Sequence, residues 1–387
     1  MSAVQLAAVL GAIVLVASVA SVELGVTVAL LELTLGVAAG NLFHLQSQDW
    51  LDFIAKFGSI VLTFLAGMEV DPSFMRRRLG AAVGIGVVSF VGPFVAASAA
   101  AYFLLDWTTR ASLITGTALS TTSLAVVYAV LAERGLTDTA IGKLLMSATF
   151  VTDLCTALAL SAIFVKPNLW FPVFLAVSVG LLLALPRLAP LFFGRYGDRV
   201  IEPEIKLVFA CLLVLVVLAD ASNGHAVLPA FVLGLVMSRH YAEHREEQKR
   251  LRVVAFAFLT PFFFLKGGMN VSLGAVVSNL GLLAVLLTAK MLPKLGLVYP
   301  LARRADRRHG TFTTLLMSTG LTFGTISALY GLNAGIIDKT QFSLLVAVVV
   351  LSAVIPTAIA ERWFLPDAEG ERRIDRRLAY AKAEEYV

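Results

Sequence analysis

The chemistry in this sequence is concentrated in a few ionisable side chains set in long apolar runs. The stretch LLMSATFVTDLCTALALSAIF, Leu144 to Phe164, is apolar almost throughout and holds a single carboxylate, Asp153. At about 1.5 Å per helical residue, Asp153 falls near the midplane of a span expected over 141–164. A charged aspartate there costs roughly 2.5–3.5 kcal/mol. Such a group either joins helices through an ion pair or hydrogen bond, or binds a cation and a proton in turn, and the second role is the stronger expectation. Thr152 precedes it and Thr156 lies one turn on. Their hydroxyls supply neutral oxygens, which suit a hard monovalent cation. Lys290, in LLTAKMLPKLG, is also deep in a span and is expected to pair with Asp153 or to act as a second proton carrier. Lys294 is one turn on and nearer an end, with Pro293 between them to loosen the backbone. Lys266, in TPFFFLKGGMN, either snorkels to the interface or takes part in the site. Glu32, in VALLELTLGVAAG, precedes small residues suited to close packing and is expected to make a structural hydrogen bond.

Two segments carry hydroxyls and glycine in mid-span. ITGTALSTTSLAVV (114–127) holds Gly116, Thr117, Ser120, Thr121, Thr122 and Ser123, and LLMSTGLTFGTISAL (315–329) holds Ser318, Thr319, Gly320, Thr322, Gly324, Thr325 and Ser327. Such residues fit tight packing, or helices that break at the midplane and expose carbonyls and hydroxyls to an ion.

The elements that must position these groups follow from composition. Of 387 residues, 58% are hydrophobic and 15% charged, and mean hydropathy is +0.86. Apolar runs of roughly 20 residues recur along the chain, each enough to cross a bilayer. The fold class is therefore an all-α polytopic membrane protein; the runs lack the alternation of a barrel. Helices are predicted near 3–20, 22–40, 54–70, 80–104, 111–131, 141–164, 169–191, 205–220, 225–239, 253–270, 274–300, 311–331 and 337–360, about thirteen spans. Loops rich in Lys and Arg alternate with poor ones on this count. The positive-inside rule then puts the N-terminus outside and the short charged tail, 365–387, in the cytoplasm. The net charge of +5 needs no nucleic-acid partner. The first span lacks a basic leader and a cleavage site and is read as retained. Cys155 and Cys211 read as buried small side chains, and His225 and His309 as solvated loop-edge residues. No nucleotide-binding glycine motif occurs, no Ser-His-Asp or metal constellation suggests an enzyme, and no cofactor is expected beyond the transported ions. The two hydroxyl-rich spans are the fifth and the twelfth, with six others between them, so they run in opposite directions, as in an inverted repeat.

With these residues laid out, the chain resembles the second family of monovalent cation:proton antiporters, that of NapA-like sodium antiporters and the membrane part of Kef-type potassium systems. The resemblance is carried by LELTLGVAAGNL (31–42), VLTFLAGMEVDPSFMRR (61–77), TALSTTSLAVVYAVLAERGL (117–136), FVTDLCTALAL (150–160), TPFFFLKGGMNVSL (260–273) and the lysine of LLTAKMLPKLG (286–296). It implies an NhaA/NapA-like fold in which helices 111–131 and 311–331 are discontinuous and cross. It implies a core domain (about 80–164 and 274–360), a dimerisation scaffold (about 1–70 and 205–270), a linker helix (about 169–191) and a homodimer in the inner (plasma) membrane. It also implies elevator-type alternating access in the service of pH homeostasis, with the family's essential aspartate at Asp153 and its membrane lysine at Lys290. The pair Thr152–Asp153 departs from the two acids, Asn-Asp or Gln-Asp, common in the family. The family's soluble regulatory domain is not among these residues, so regulation would need a separate subunit or a part removed by truncation.

The expected activity is exchange of Na+ or K+ for H+ on one shared carboxylate, with a monovalent cation bound at Asp153. One carboxylate without an adjacent second acid suggests electroneutral exchange; a proton released by Lys290 would make it electrogenic. Ion-coupled symport of an organic anion on a related fold and a Kef-like cation channel are the rival readings. The unwound spans show no arginine clamp for an anion, and no selectivity-filter repeat is visible.

Overall fold

The computed structural model describes residues 2–24, 27–68, 79–137, 139–164, 168–197, 199–222, 224–371 and 373. Most of the basic loop at 71–80, Glu69, and the tail from 374 onward lie outside these residues. Among the described residues all regular structure is helical. Ten helices are long and apolar enough to cross a membrane, from Ala3–Leu24 to Lys339–Trp363. Val28–Leu42 and Val227–Tyr241 are shorter apolar helices, and Pro203–Ala221 carries Glu204, Lys206 and Asp220 along 19 residues. Every predicted segment is thus helical, with ends shifted by a few residues.

The chain forms two compact units. The first comprises Met1–Pro72, Ala157–Ser278 and Asp338–Ser343; the second comprises Ser73–Thr156, Asn279–Ile337 and Leu344–Val387. The first unit is built on two close helix crossings. A Cβ on Gly268 would strike the carbonyl oxygen of Leu33, and one on Gly36 would strike that of Leu265, so Val28–Leu42 and Thr260–Met269 touch backbone to backbone. Gly67 and Gly234 do the same for Asp49–Met68 and Val227–Glu243, against Phe231 and Phe64. In lipid, where no hydrophobic force separates helix from solvent, such small-residue contacts provide the packing energy. Asn41 ties the ends of the first crossing, donating to Val271 O at 2.8 Å and accepting from Leu273 N at 2.9 Å.

The two crossings are copies of one another. Gly36 matches Gly234, and Gly67 matches Gly268, each about 200 residues on, and their contact partners shift by the same offset. The second unit repeats at that offset too. Pro93 lies within Leu79–Ala99 and Pro293 within Leu280–Pro293, and each helix continues into a π turn, Ala100–Leu104 and Lys294–Val298. The prolines are 200 residues apart and the π turns 194. The interruptions of the two hydroxyl-rich helices, at 121–123 and 318–321, are spaced likewise.

Gly268→Ala and Gly234→Ala should each destabilise the detergent-solubilised protein by roughly 1–3 kcal/mol, because the added methyl meets backbone that cannot rotate away. Gly180→Ala, with open space at its Cβ, should be neutral or slightly stabilising. Thermal unfolding of the three variants checks this; equal shifts would contradict it.

Candidate ion site

In the first interrupted helix, Thr109–Ser120 ends and Leu124–Glu133 begins. The hydroxyls of Ser120 and Thr121 donate back to Thr117 O (3.0 Å) and Ala118 O (3.2 Å), competing with the helical ladder. Thr121 takes an extended conformation, φ −65° and ψ 155°. Ser123 then accepts from Val126 N at 3.4 Å and starts the second half. In the other interrupted helix, Gly310–Met317 and Thr322–Asn333 flank the break. Ser318 donates to Thr314 O (2.8 Å) and Thr319 to Leu316 O (2.7 Å). The two interruptions touch: a Cβ on Gly320 would lie 3.0 Å from both Thr121 O and Thr121 Oγ1.

An interrupted helix exposes carbonyls at its C-terminal end, where the dipole is negative. Here one side chain serves both ends. The Lys294 ammonium donates to Thr121 O (2.8 Å), Met317 O (2.7 Å) and Thr122 Oγ1 (3.0 Å). Thr122 in turn donates to Met317 O at 2.9 Å, and Ser89 lies 3.4 Å from both Thr122 Oγ1 and Met317 O. Lys294 is fully buried, and it opens the π turn after Pro293.

Asp153 lies in Ala140–Phe164 and is 1% exposed; its Oδ1 has no hydrogen-bond partner. Thr152 Oγ1 shares its proton between Gly86 O (3.2 Å) and Ala148 O (3.0 Å), and Thr156 donates to Thr152 O at 2.9 Å. The protons of both hydroxyls are committed to carbonyls, and their lone pairs remain as neutral donors to a cation. Among the described residues Asp153 is the only buried carboxylate of the second unit. Thr322 Oγ1 and Thr325 Oγ1 are buried without partners beside the second break. No cluster of three or more His, Cys, Asp or Glu that could hold a metal ion occurs among the described residues.

Several expectations change. Lys290 does not pair with Asp153: its Nζ is buried with no hydrogen-bond partner and sits where a Cβ on Gly320 would be. The lysine charge that acts on Asp153 is that of Lys294; both lysines reach the interruptions, but Lys294 is the one that hydrogen-bonds to Thr121 O and Met317 O there. Lys266 does not snorkel; it is 6% exposed and pairs with Asp52 at 2.7 Å. Glu32 is buried, and both it and Lys266 belong to the first unit, not the second, where Asp153 lies. Cys155 is partly exposed, not buried, and Cys211 is buried. His225 is not solvated: burial lowers its imidazole to about 4, with Asp220 raising it and Lys56 lowering it further. His309 is held between Asp306 and Glu371 instead of facing water. Ser89, Gly86 and Asp52 were not singled out from the sequence; no local pattern marks them, since their partners are 33 to 228 residues away.

Lys294→Met should lower stability by about 3–5 kcal/mol, because it strands acceptors inside the protein. Lys290→Met removes no hydrogen bond and should cost less than about 1.5 kcal/mol. Thermal unfolding in detergent separates them; the reverse order would refute this assignment.

With the geometry in place, comparison with known proteins is direct. A family model described as the transmembrane sodium/hydrogen exchanger matches residues 8–364. The probable Na(+)/H(+) antiporter 3 of Methanocaldococcus jannaschii is 27% identical over 336 residues, 83% of this chain and 86% of that protein. Cation/H(+) antiporter 18 of Arabidopsis thaliana is 27% identical over 349 residues, 84% of this chain but 43% of that protein, so this chain spans less than half of its plant relative. The structure of the sodium proton antiporter MjNhaP1, also from M. jannaschii, superposes with a TM-score of 0.66 at 13% identity, covering 93% of this chain and 97% of that one, and so shares the fold. This chain is a member of the sodium/hydrogen exchanger family.

Proposed function

We propose that the chain is a secondary transporter of the plasma membrane that exchanges Na+ or K+ for H+ on the Asp153 carboxylate. The observation that carries this reading is the placement of Asp153: the sole buried acid of its unit among the described residues, with one oxygen unpartnered and two threonine oxygens adjacent in sequence or one turn away. A buried carboxylate is expensive when charged and uncompensated. A bound cation or a proton compensates it, and only one of them fits at a time. Competition for one group therefore couples the two flows, provided that the empty, ionised carrier cannot cross. One carboxylate exchanging one cation for one proton moves no net charge, and the exchange is electroneutral. Lys294 keeps its hydrogen bonds to the two interruptions throughout.

In this reading the second unit is the moving core of an elevator and the first is the scaffold through which two copies dimerise. The thirteen helices run with the N-terminus outside and the tail in the cytoplasm, and the copies offset by about 200 residues form an inverted repeat. The alternation of basic and poor loops supports the orientation. The interrupted helices and the carboxylate with threonine hydroxyls beside it favour a bare cation over an organic anion.

In proteoliposomes with a pH dye inside, Asp153→Asn should abolish cation-driven proton flux, and retained flux would remove the proposal. Thr152→Ala should keep exchange but raise the cation concentration for half-maximal rate severalfold, as expected for about 1 kcal/mol lost with one neutral ligand. The wild-type rate should not respond to an imposed membrane potential; a response proportional to voltage would show that a second charge moves.

A further inference from the structure

His309 stands at the loop that starts the second interrupted helix: its carbonyl accepts from Thr313 N at 2.9 Å. Its ring is held from two sides. Nδ1 lies 2.9 Å from Asp306 Oδ2, and Nε2 lies 3.7 Å from Glu371 Oε1, with the His309 and Glu371 side chains each 13% exposed. Glu371 comes from the chain beyond the last long helix. It sits on a turn whose start is capped by Asp367, which accepts from Glu369 N and Gly370 N at 3.2 Å, and Ala368 of the same turn packs on the apolar cluster around Phe312 and Ala360.

The tautomer decides what this contact is worth. Asp306 accepts from Arg308 N at 2.9 Å through its other oxygen. Burial pushes the Asp306 carboxyl up, but the hydrogen bonds from His309 and Arg308 outweigh it and hold the group below the ordinary carboxylate range. An ionised Asp306 only accepts, so Nδ1 must carry a hydrogen. A neutral His309 then presents the Nε2 lone pair to the Glu371 carboxylate, acceptor against acceptor. Only the doubly protonated imidazolium satisfies both carboxylates. Among the described residues the other charges nearby are engaged elsewhere: the Arg303 guanidinium donates to the Tyr299 hydroxyl at 3.2 Å, Glu361 of the last long helix faces Arg134 at 3.8 Å, and Arg373 pairs with Glu369.

We propose that His309 is a proton-operated latch that docks the Asp367–Glu371 turn onto the start of the second interrupted helix. The latch is closed when the imidazole carries both protons and opens when it gives one up, so raising the pH opens it. The helix it docks on, Gly310–Met317, delivers the Met317 carbonyl to Lys294 at its other end. Protonation on the side of the tail thus acts two turns from the interruption, at a group separate from Asp153.

Amide hydrogen exchange of the full chain tests this, with protection factors for 368–371 corrected for intrinsic rate at each pH. Between about pH 5.5 and pH 8 the wild type should lose at least about tenfold protection in this turn, as expected when a charge-assisted contact is lost. His309→Gln should show protection that does not change with pH, and so should Glu371→Gln, whose side-chain amide accepts from the charged ring and donates to the neutral one. Glu369→Gln, at an exposed residue paired with Arg373, should behave as wild type. Constant wild-type protection, or undiminished pH dependence in Glu371→Gln, would overturn the latch. The measurement is independent of ion exchange, so failure of the Asp153 proposal leaves its outcome readable. If His309→Gln does not fold, Glu371→Gln, which leaves the His309–Asp306 bond intact, decides the matter alone.

Discussion

One ammonium holds the middle of this protein together. Two helices stop inside the apolar interior, each leaving carbonyls that water cannot reach, and Lys294 supplies hydrogen bonds to both ends at 2.7–2.8 Å. Unsatisfied, such groups cost several kcal/mol each in a membrane. The lysine in turn needs compensation for its own burial, which it finds in three oxygen acceptors, two helix dipoles and the charge of Asp153. An interrupted helix is therefore affordable only with this cation in place, and the cation is tolerable only because the helices are interrupted.

That mutual dependence frees Asp153 for other work. Had the carboxylate been the main partner of a lysine, a metal ion would have to break an ion pair to bind. Lys294 instead spends its donors on backbone and Thr122, and Asp153 keeps an oxygen without a hydrogen bond. Thr152 and Thr156 stiffen the same region by bonding to carbonyls, and Thr152 reaches across to Gly86 on the neighbouring helix. The threonine protons are thus engaged by carbonyls while one Asp153 oxygen is left without a hydrogen bond.

Much of this was legible in the sequence because membranes penalise exceptions. A lone Asp153 in an apolar run, and hydroxyls with glycine in mid-span, stood out by composition alone, and the breaks fall at 121–123 and 318–321, within the two segments singled out. Which lysine bonds the break was not legible. Lys290 and Lys294 lie on one face of an ideal helix and both reach the interruptions, but only Lys294 donates to the carbonyls of Thr121 and Met317. The partners of Lys266 and His309 were hidden for another reason: Asp52 and Glu371 are distant in sequence, and no local period brings them together. The glycine crossings were visible only in part: the small residues after Glu32, Gly36 among them, read as suited to close packing, but the partners of Gly36, Gly67, Gly234 and Gly268 need the backbone contacts.

The most direct measurement counts protons released when the purified protein binds its cation, by calorimetry in buffers of different ionisation enthalpy. The account expects one proton released per cation below the pH at which Asp153 is fully ionised, falling towards none above it, and no binding by Asp153→Asn. Cation binding without proton release at every pH, or undiminished binding by that variant, would contradict it.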